Sequence, residues 1–366
     1  MLHIQRYLEK HSIQELTEEY GIKVKEYDNF IGFNYHQINS PKSHPITIES
    51  RSLKLHRHDL SVASRSFDRF FNYGEVPDMY SEFDYKNSVV MEKVDGSLIP
   101  IWYNQIDHKW EVSSRSMIFG ESTLSDDGKT IRQMVFEIFD SFDLLDQEFT
   151  YIFEYIGPDN RIVTPYDTSQ IVLLGIRNNN SGSYRSILEM ETLIDKINNE
   201  HVRMVNLYNF NSFEEIIDAT HKFEKMEEGF VIWDTSNDLR IKIKSEQYVA
   251  IHRLHGNINS IRDIIEIVVT GETEEILIYL PHLEDKINMV KNRIEHMLGR
   301  MEEIYDKIKD IDEQKDYAKS VFQHNKVFKG VLFHSRKNNN TSTIEYNNLP
   351  TKDKINLIYS YINSIN

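Results

Sequence analysis

Ser88-Val89-Val90-Met91-Glu92-Lys93-Val94-Asp95-Gly96-Ser97-Leu98-Ile99-Pro100-Ile101-Trp102-Tyr103 places two extended apolar runs on either side of an Asp-Gly pair. Asp-Gly between such runs predicts a β-hairpin turning over 93–96, with Lys93 at the end of its first strand. Further strands read outward from this point: Trp110-Glu111-Val112, Tyr151 to Tyr155, Gln170 to Leu174, Gly229 to Trp233 and Leu239 to Lys244. Segments with helical periodicity interrupt them at 130–142, 187–201 and 213–223, as helices packed outside a sheet would. The N-terminal stretch 4–20 also carries helical spacing, and β structure begins near Ile22. The fold class expected is therefore α+β with a largely antiparallel sheet.

After His255 the character turns helical. Leu283, Ile287, Val290, Ile294, Met297, Met301, Ile304, Ile308 and Ile311 alternate spacings of four and three, which is a heptad seam. A coiled-coil dimer and an intramolecular bundle both satisfy that pattern, and the short run favours the bundle. The chain thus divides into an α+β domain over 1–254 and an all-helical C-terminal domain over 255–366, in keeping with its 366 residues.

Composition narrows the classes. The absence of cysteine excludes disulfides, thiolate zinc sites and a cysteine nucleophile, and fits a reducing cytoplasm. No stretch approaches the roughly 18 apolar residues of a membrane span, so a soluble cytoplasmic protein without a membrane partner is expected. A net charge of −16 argues against a broad non-specific nucleic-acid coat. It does not exclude a cleft in which lysine and arginine are concentrated.

Lysine followed by Asp-Gly two residues on arises by accident roughly one time in twenty in a chain this long, so Lys93 alone is a modest signal. Charges on otherwise apolar strands strengthen it: Glu154 within Tyr151-Ile152-Phe153-Glu154-Tyr155, Glu228 opening Gly229-Phe230-Val231, and Lys242 with Lys244. A charge on a buried strand is costly unless paired or metal-bound. Lys242 and Lys244 leave the same face of their strand. An exposed face with solvated lysines explains that pair equally well in isolation. With Lys93, Glu154 and Glu228, the set instead offers an amine nucleophile, cations for a phosphate, and carboxylates for a hard divalent ion, the requirements of phosphoryl or nucleotidyl transfer.

In that order, Lys93-Val94-Asp95-Gly96, Phe153-Glu154-Tyr155, Glu228-Gly229-Phe230-Val231 and Lys242-Ile243-Lys244 resemble motifs I, III, IV and V of the covalent nucleotidyltransferases, which comprise the DNA ligases, RNA ligases and capping guanylyltransferases. Glu49-Ser50-Arg51, Ala63-Ser64-Arg65, Arg69-Phe70-Phe71-Asn72 and the run from Phe153 to Val163 are similar to the T-even phage RNA ligase family, the branch associated with repair of broken tRNA. The resemblance spans about 35–248. It implies an adenylyltransferase domain that uses ATP and magnesium or manganese. Lys93 would attack the α-phosphate to form lysyl-AMP, AMP would pass to an RNA 5′-phosphate, and a 3′-hydroxyl would displace it. Asp95 would serve beyond the first step. Tyr35, Arg51, Arg69, Gly96, Arg115, Lys242 and Lys244 would bind the nucleotide, and Glu154 and Glu228 the nucleotide or the metal. Arg69 and Arg115 stand where the pattern has lysine. Lys242, Lys244 and the metal are expected to disfavour the charged form of Lys93.

The same likeness implies RNA as partner, a broken tRNA anticodon loop within a phage-infected bacterium, and an RNA-selecting role for the helical domain. No obligate protein partner is evident. A DNA ligase, a GTP-using capping enzyme and an inactive nucleotide- or RNA-binding relative remain open. A helical assembly protein, resting on the heptad seam alone, is the reading from another class.

Overall fold

In the computed structural model the described residues are 1–365 except 38, 124–127, 161, 224–226, 246–247, 249–259 and 280–282. Arg161 and the boundary expected at 254/255 lie outside them. The chain forms two compact units, Met1–His252 and Arg253–Asn366.

The first unit opens with two helices, His3–Leu8 and Ile13–Tyr20, where the periodicity had suggested one. The break has a local cause. Ser12 Oγ accepts from the Glu15 amide at 3.2 Å while the Glu15 carboxylate accepts from the Ser12 amide at 2.7 Å, and this reciprocal cap starts a new helix at Ile13. Gly21, at φ 62°, ends it. Strands β1 (Ile22–Glu26), β2 (Phe30–Tyr35), β3 (Leu53–His56) and β4 (Val62–Ser64) then make an antiparallel sheet in that order. Ile4, Leu16, Phe33 and Leu53 fill its core.

Two further sheets build the rest of this unit. The second contains β5 (Phe71–Asn72), β6 (Ser88–Lys93), β12 (Leu207–Tyr208), β13 (Gly229–Asp234) and β14 (Leu239–Lys244), in the order β12-β6-β13-β14-β5. The third contains β7 (Ser97–Asn104), β8 (Lys109–Val112), β9 (Phe149–Ile156), β10 (Gln170–Asn178) and β11 (Val202–Met204), in the order β11-β10-β9-β7-β8. Only β10 with β11 and β14 with β5 pair in parallel. The mixed α+β class expected from the sequence is the one observed.

The hairpin is not. β6 pairs with β12 and β13, β7 pairs with β8 and β9, and residues 93–96 carry the chain from one sheet to the other. The glycine is required by close approach. A Cβ on Gly96 would lie 2.3 Å from the Tyr155 carbonyl oxygen and 3.0 Å from Glu154 Cγ.

Alternation assigns each face of these sheets. On the second, Phe230, Ile232, Ile241 and Ile243 pack with Ile216 of the helix Phe213–His221. On the third, Ile99, Ile101, Phe153 and Tyr155 pack with Val135 of the helix Ile131–Ile138 and Met190 of the helix Ile187–Ile197. These helices end earlier than expected, the last because Asn198 adopts φ 46° and closes it. The opposite faces meet through Met91, Val94, Ile156, Val172 and Trp233. Any polar residue on those inner faces therefore looks into the space between the sheets.

In the second unit the seam lies on the helix Glu284–Ile308, with Ile287, Val290, Ile294, Met297 and Met301 buried. They pack against Ile264, Val268, Tyr317, Phe328, Leu332 and Ile358 of the same unit. The seam is consumed within one chain, which sustains the bundle and corrects the coiled-coil alternative. Among the described residues no helix is long and apolar enough to cross a membrane.

Lys54, on β3, is 2% exposed and donates to the Ser52 carbonyl and hydroxyl oxygens, both at 3.3 Å. Ser52, at φ 55°, donates in turn to the Ser114 carbonyl at 3.4 Å. This buried chain ties the turn after Arg51 to the loop before Arg115. Burial pushes the Lys54 amine from 10.5 down to about 7. Across that window the unfolded chain holds the proton and the native chain does not, so native stability rises with pH through it. Lys54→Met is expected to raise the melting temperature near pH 7, with the gain shrinking toward pH 10. Thermal denaturation across that range checks it, and a gain independent of pH contradicts it.

Candidate active site

The two inner faces enclose a cavity of about 460 Å³, a volume suited to a nucleotide-sized ligand. From the second sheet come Met91, Lys93, Val231, Arg240, Lys242 and Lys244. Register explains the grouping: Lys93 pairs with Gly229 and Gly229 with Lys244, while Met91 pairs with Val231 and Val231 with Lys242. Each set shares one row and one face. The third sheet contributes Leu98, Glu154 and Leu174. Glu154 lies between the helix-facing Phe153 and Tyr155, which puts its carboxyl on the cavity side.

Glu228 precedes Gly229, whose φ of 146° and whose approach to Ile243 leave no room for a Cβ. The resulting turn of the backbone sets the Glu228 carboxylate between two amines. One oxygen lies 2.6 Å from Lys93 Nζ and the other 3.2 Å from Lys244 Nζ. The expectation that cations alone surround Lys93 is thereby corrected. Its nearest charged partner is a carboxylate, which stabilises the ammonium and stands ready to take its proton.

The remaining site candidates fall into two layers. Arg51, Lys93, Gly96, Arg115, Glu154, Lys242 and Lys244 form the wall, together with Phe67, Phe70 and the apolar Val94 and Val205. Asp95, Glu228, Tyr35 and Arg69 stand behind it. Asp95 is 3% exposed and accepts from the amides of Val163 and Thr164 at 2.9 and 2.7 Å and from the Tyr248 hydroxyl at 2.8 Å. A carboxylate so engaged anchors the crossing beneath the lysine. The Tyr35 ring carries the guanidinium groups of Arg69 and Arg115 at 4.1 and 4.9 Å from its centroid. Arg69 borders a smaller cavity of about 100 Å³ that also meets Phe70 and Arg240.

Electrostatics favours an anionic guest. Arg51 Nη1 and Arg115 Nε are buried without a hydrogen-bond partner among the described residues, and burial pushes the Arg51 guanidinium below its usual range. Burial also raises the Glu154 carboxyl to about 8, with Lys93 opposing and Glu228 reinforcing that shift. No group of three or more His, Cys, Asp or Glu residues suited to a metal exists among the described residues. Glu154 remains the one cavity-lining carboxylate not held by an ion pair, since Glu92 is bound by Arg203 at 2.9 and 3.1 Å. One carboxylate completed by phosphate oxygens and water is a sufficient set for magnesium.

Arg240 and the phenylalanines Phe67 and Phe70 were missed by the sequence reading. The period-two rule that joins Lys242 to Lys244 extends back to Arg240 and contains the signal for it. Phe67 and Phe70 lie between short strands, where no periodicity marks a cavity wall.

A sequence model described as RNA ligase matches residues 49–248. The putative bifunctional polynucleotide kinase/RNA ligase of Autographa californica nuclear polyhedrosis virus is 30% identical over 309 residues, which cover 78% of this chain and 43% of that one. The chain thus spans under half of that relative. The RNA ligase of Rhodothermus phage RM378 is 22% identical over 364 residues, 83% of this chain and 82% of the phage protein. The putative RNA ligase of Thermovibrio ammonificans is 25% identical over 357 residues, 89% and 87% of the two chains.

Because the native Glu154 carboxyl holds its proton to about 8 against an ordinary 4.5, the native chain binds more protons than the unfolded one between those values, and stability falls as pH rises through them. Glu154→Gln is expected to flatten the decline in melting temperature between pH 5 and pH 9. Equal declines in the two proteins would show that Glu154 ionises without cost.

Proposed function

This chain belongs to the RNA ligase family, and on that premise we propose that it joins RNA 5′-phosphate to 3′-hydroxyl ends with ATP, through an AMP adduct on Lys93. The observation that carries the reading is Lys93 on a cation-lined cavity wall with Glu228 Oε2 at 2.6 Å.

The residues support each step. Lys93 Nζ passes its proton to Glu228, and the freed lone pair forms a bond to the α-phosphorus. The bond from that phosphorus to the bridging oxygen breaks, and pyrophosphate leaves with the electron pair. Lys242, Lys244 and Arg115 neutralise the phosphate charge within a site largely closed to water. Apolar walls from Met91, Val231, Leu174 and Val205 receive the base. An RNA 5′-phosphate oxygen then attacks the phosphorus and releases Lys93, which regains a proton. A 3′-hydroxyl finally attacks the RNA 5′-phosphorus and expels AMP. Glu154 would hold magnesium or manganese, which would supply further neutralisation of phosphate charge. Asp95 acts as a positioning residue for the 93–96 crossing. The helical unit would select the RNA, with tRNA repair during phage infection as the setting that the family likeness suggests.

Lys93→Ala is expected to abolish transfer of label from α-labelled ATP to the protein; a variant labelled like wild type would refute the mechanism. Label from ATP but not GTP, and sealing of RNA but not DNA ends, are the expected specificities. Efficient use of GTP would point to a capping-type enzyme, and sealing of DNA to a DNA ligase.

A further inference from the structure

Arg240 is 6% exposed, yet it lines the cavity on the same face of β14 as Lys242 and Lys244. Its guanidinium lies 4.0 Å from the Tyr184 ring centroid, 4.4 Å from Trp233 and 4.8 Å from Phe67. Asp238 takes Nη1 at 3.2 Å, while Nε is buried with no hydrogen-bond partner among the described residues. Two more cations converge on the same aromatic floor: Arg51 lies 5.1 Å from Phe70 and 6.0 Å from Phe67, and Lys242 Nζ lies 5.2 Å from Phe70. Nearby carboxylates do not answer this charge, because Glu228 is taken by Lys93 and Lys244 and Glu92 by Arg203. Cations gathered in a low-dielectric wall repel one another unless an anion joins them.

We propose that Arg240 holds the distal phosphates of the nucleotide, the pyrophosphate that departs when Lys93 is adenylated. This rests on the lysyl-adenylate reading. Arg240 lies four residues from Lys244 along β14, or about 13 Å at the rise of a strand, so it is too far along the sheet to share the α-phosphate seated at Lys93. A neutral base gains nothing from a third cation. A pyrophosphate does, and a guanidinium fork with a free Nε–H is shaped to donate two bonds to phosphate oxygens. The aromatic stack holds that fork in place before the ligand arrives. The resulting site grips ATP more firmly than AMP and lowers the cost of separating the leaving group's charge.

Arg240→Met keeps an unbranched stem against the aromatic rings and removes the charge, while Arg240→Lys keeps the charge without the fork. Calorimetry with inorganic pyrophosphate on the unadenylated protein, with AMP titrated in parallel, isolates the subsite from catalysis. Arg240→Met is expected to weaken pyrophosphate by about tenfold or more while moving AMP by less than about twofold, with Arg240→Lys in between. The ATP concentration for half-maximal adduct formation should rise by a similar factor. Equal weakening of AMP and pyrophosphate, or unchanged pyrophosphate binding, overturns the proposal. If Arg240→Met does not fold, Arg240→Lys decides alone by the same ratio of pyrophosphate to AMP loss. A wild type that binds pyrophosphate but forms no adduct would instead sink the lysyl-adenylate mechanism and leave the subsite standing.

Discussion

Everything at the site depends on one short crossing. Lys93 ends a strand of one sheet, Ser97 begins a strand of another, and residues 93–96 must bridge them while passing against the strand that carries Glu154. Only a residue without a side chain fits at 96, where the Tyr155 carbonyl closes the space. Asp95 fixes the crossing from behind by accepting two backbone amides and the Tyr248 hydroxyl. The motif Lys-Val-Asp-Gly is therefore a joint between sheets as much as a piece of chemistry. Moving any part of it would separate the amine from the carboxylates and cations that give it a function.

The consequences spread outward by alternation. Each of the two sheets commits one face to helices, which drives the other faces together and traps their polar residues in a common space. Glu154 and Lys242 arrive there because their neighbours at odd register are needed in the apolar layers. An acidic protein thereby holds a cationic interior, and its net charge of −16 describes the exterior rather than the cleft. The Lys54–Ser52–Ser114 chain extends the arrangement into the first sheet and holds the loops of Arg51 and Arg115 to each other.

Much of this was legible in the sequence, and what was not had identifiable causes. Long apolar strands with a misplaced charge announced Glu154, Lys242 and Lys244. The Asp-Gly pair was misread as a hairpin because local sequence shows that the chain must bend, not which strands it joins afterwards. The first sheet escaped notice because β3 is buried on both faces, Lys54 included, and has no alternation to detect. The break in the N-terminal helical stretch was readable, since Ser12-Ile13-Gln14-Glu15 is a capping box, but periodicity drew the eye across it. Glu228 was expected to serve the nucleotide or metal. Its position between two lysines depends on strand register and could be known only from the fold.

The most direct test is to incubate the protein with ATP and a divalent cation, then map the modified peptide by mass spectrometry under conditions that preserve a phosphoramide. The account expects a single AMP on Lys93, removed by inorganic pyrophosphate. AMP on Lys242 or Lys244, or no adduct in a protein that still seals RNA, would contradict it.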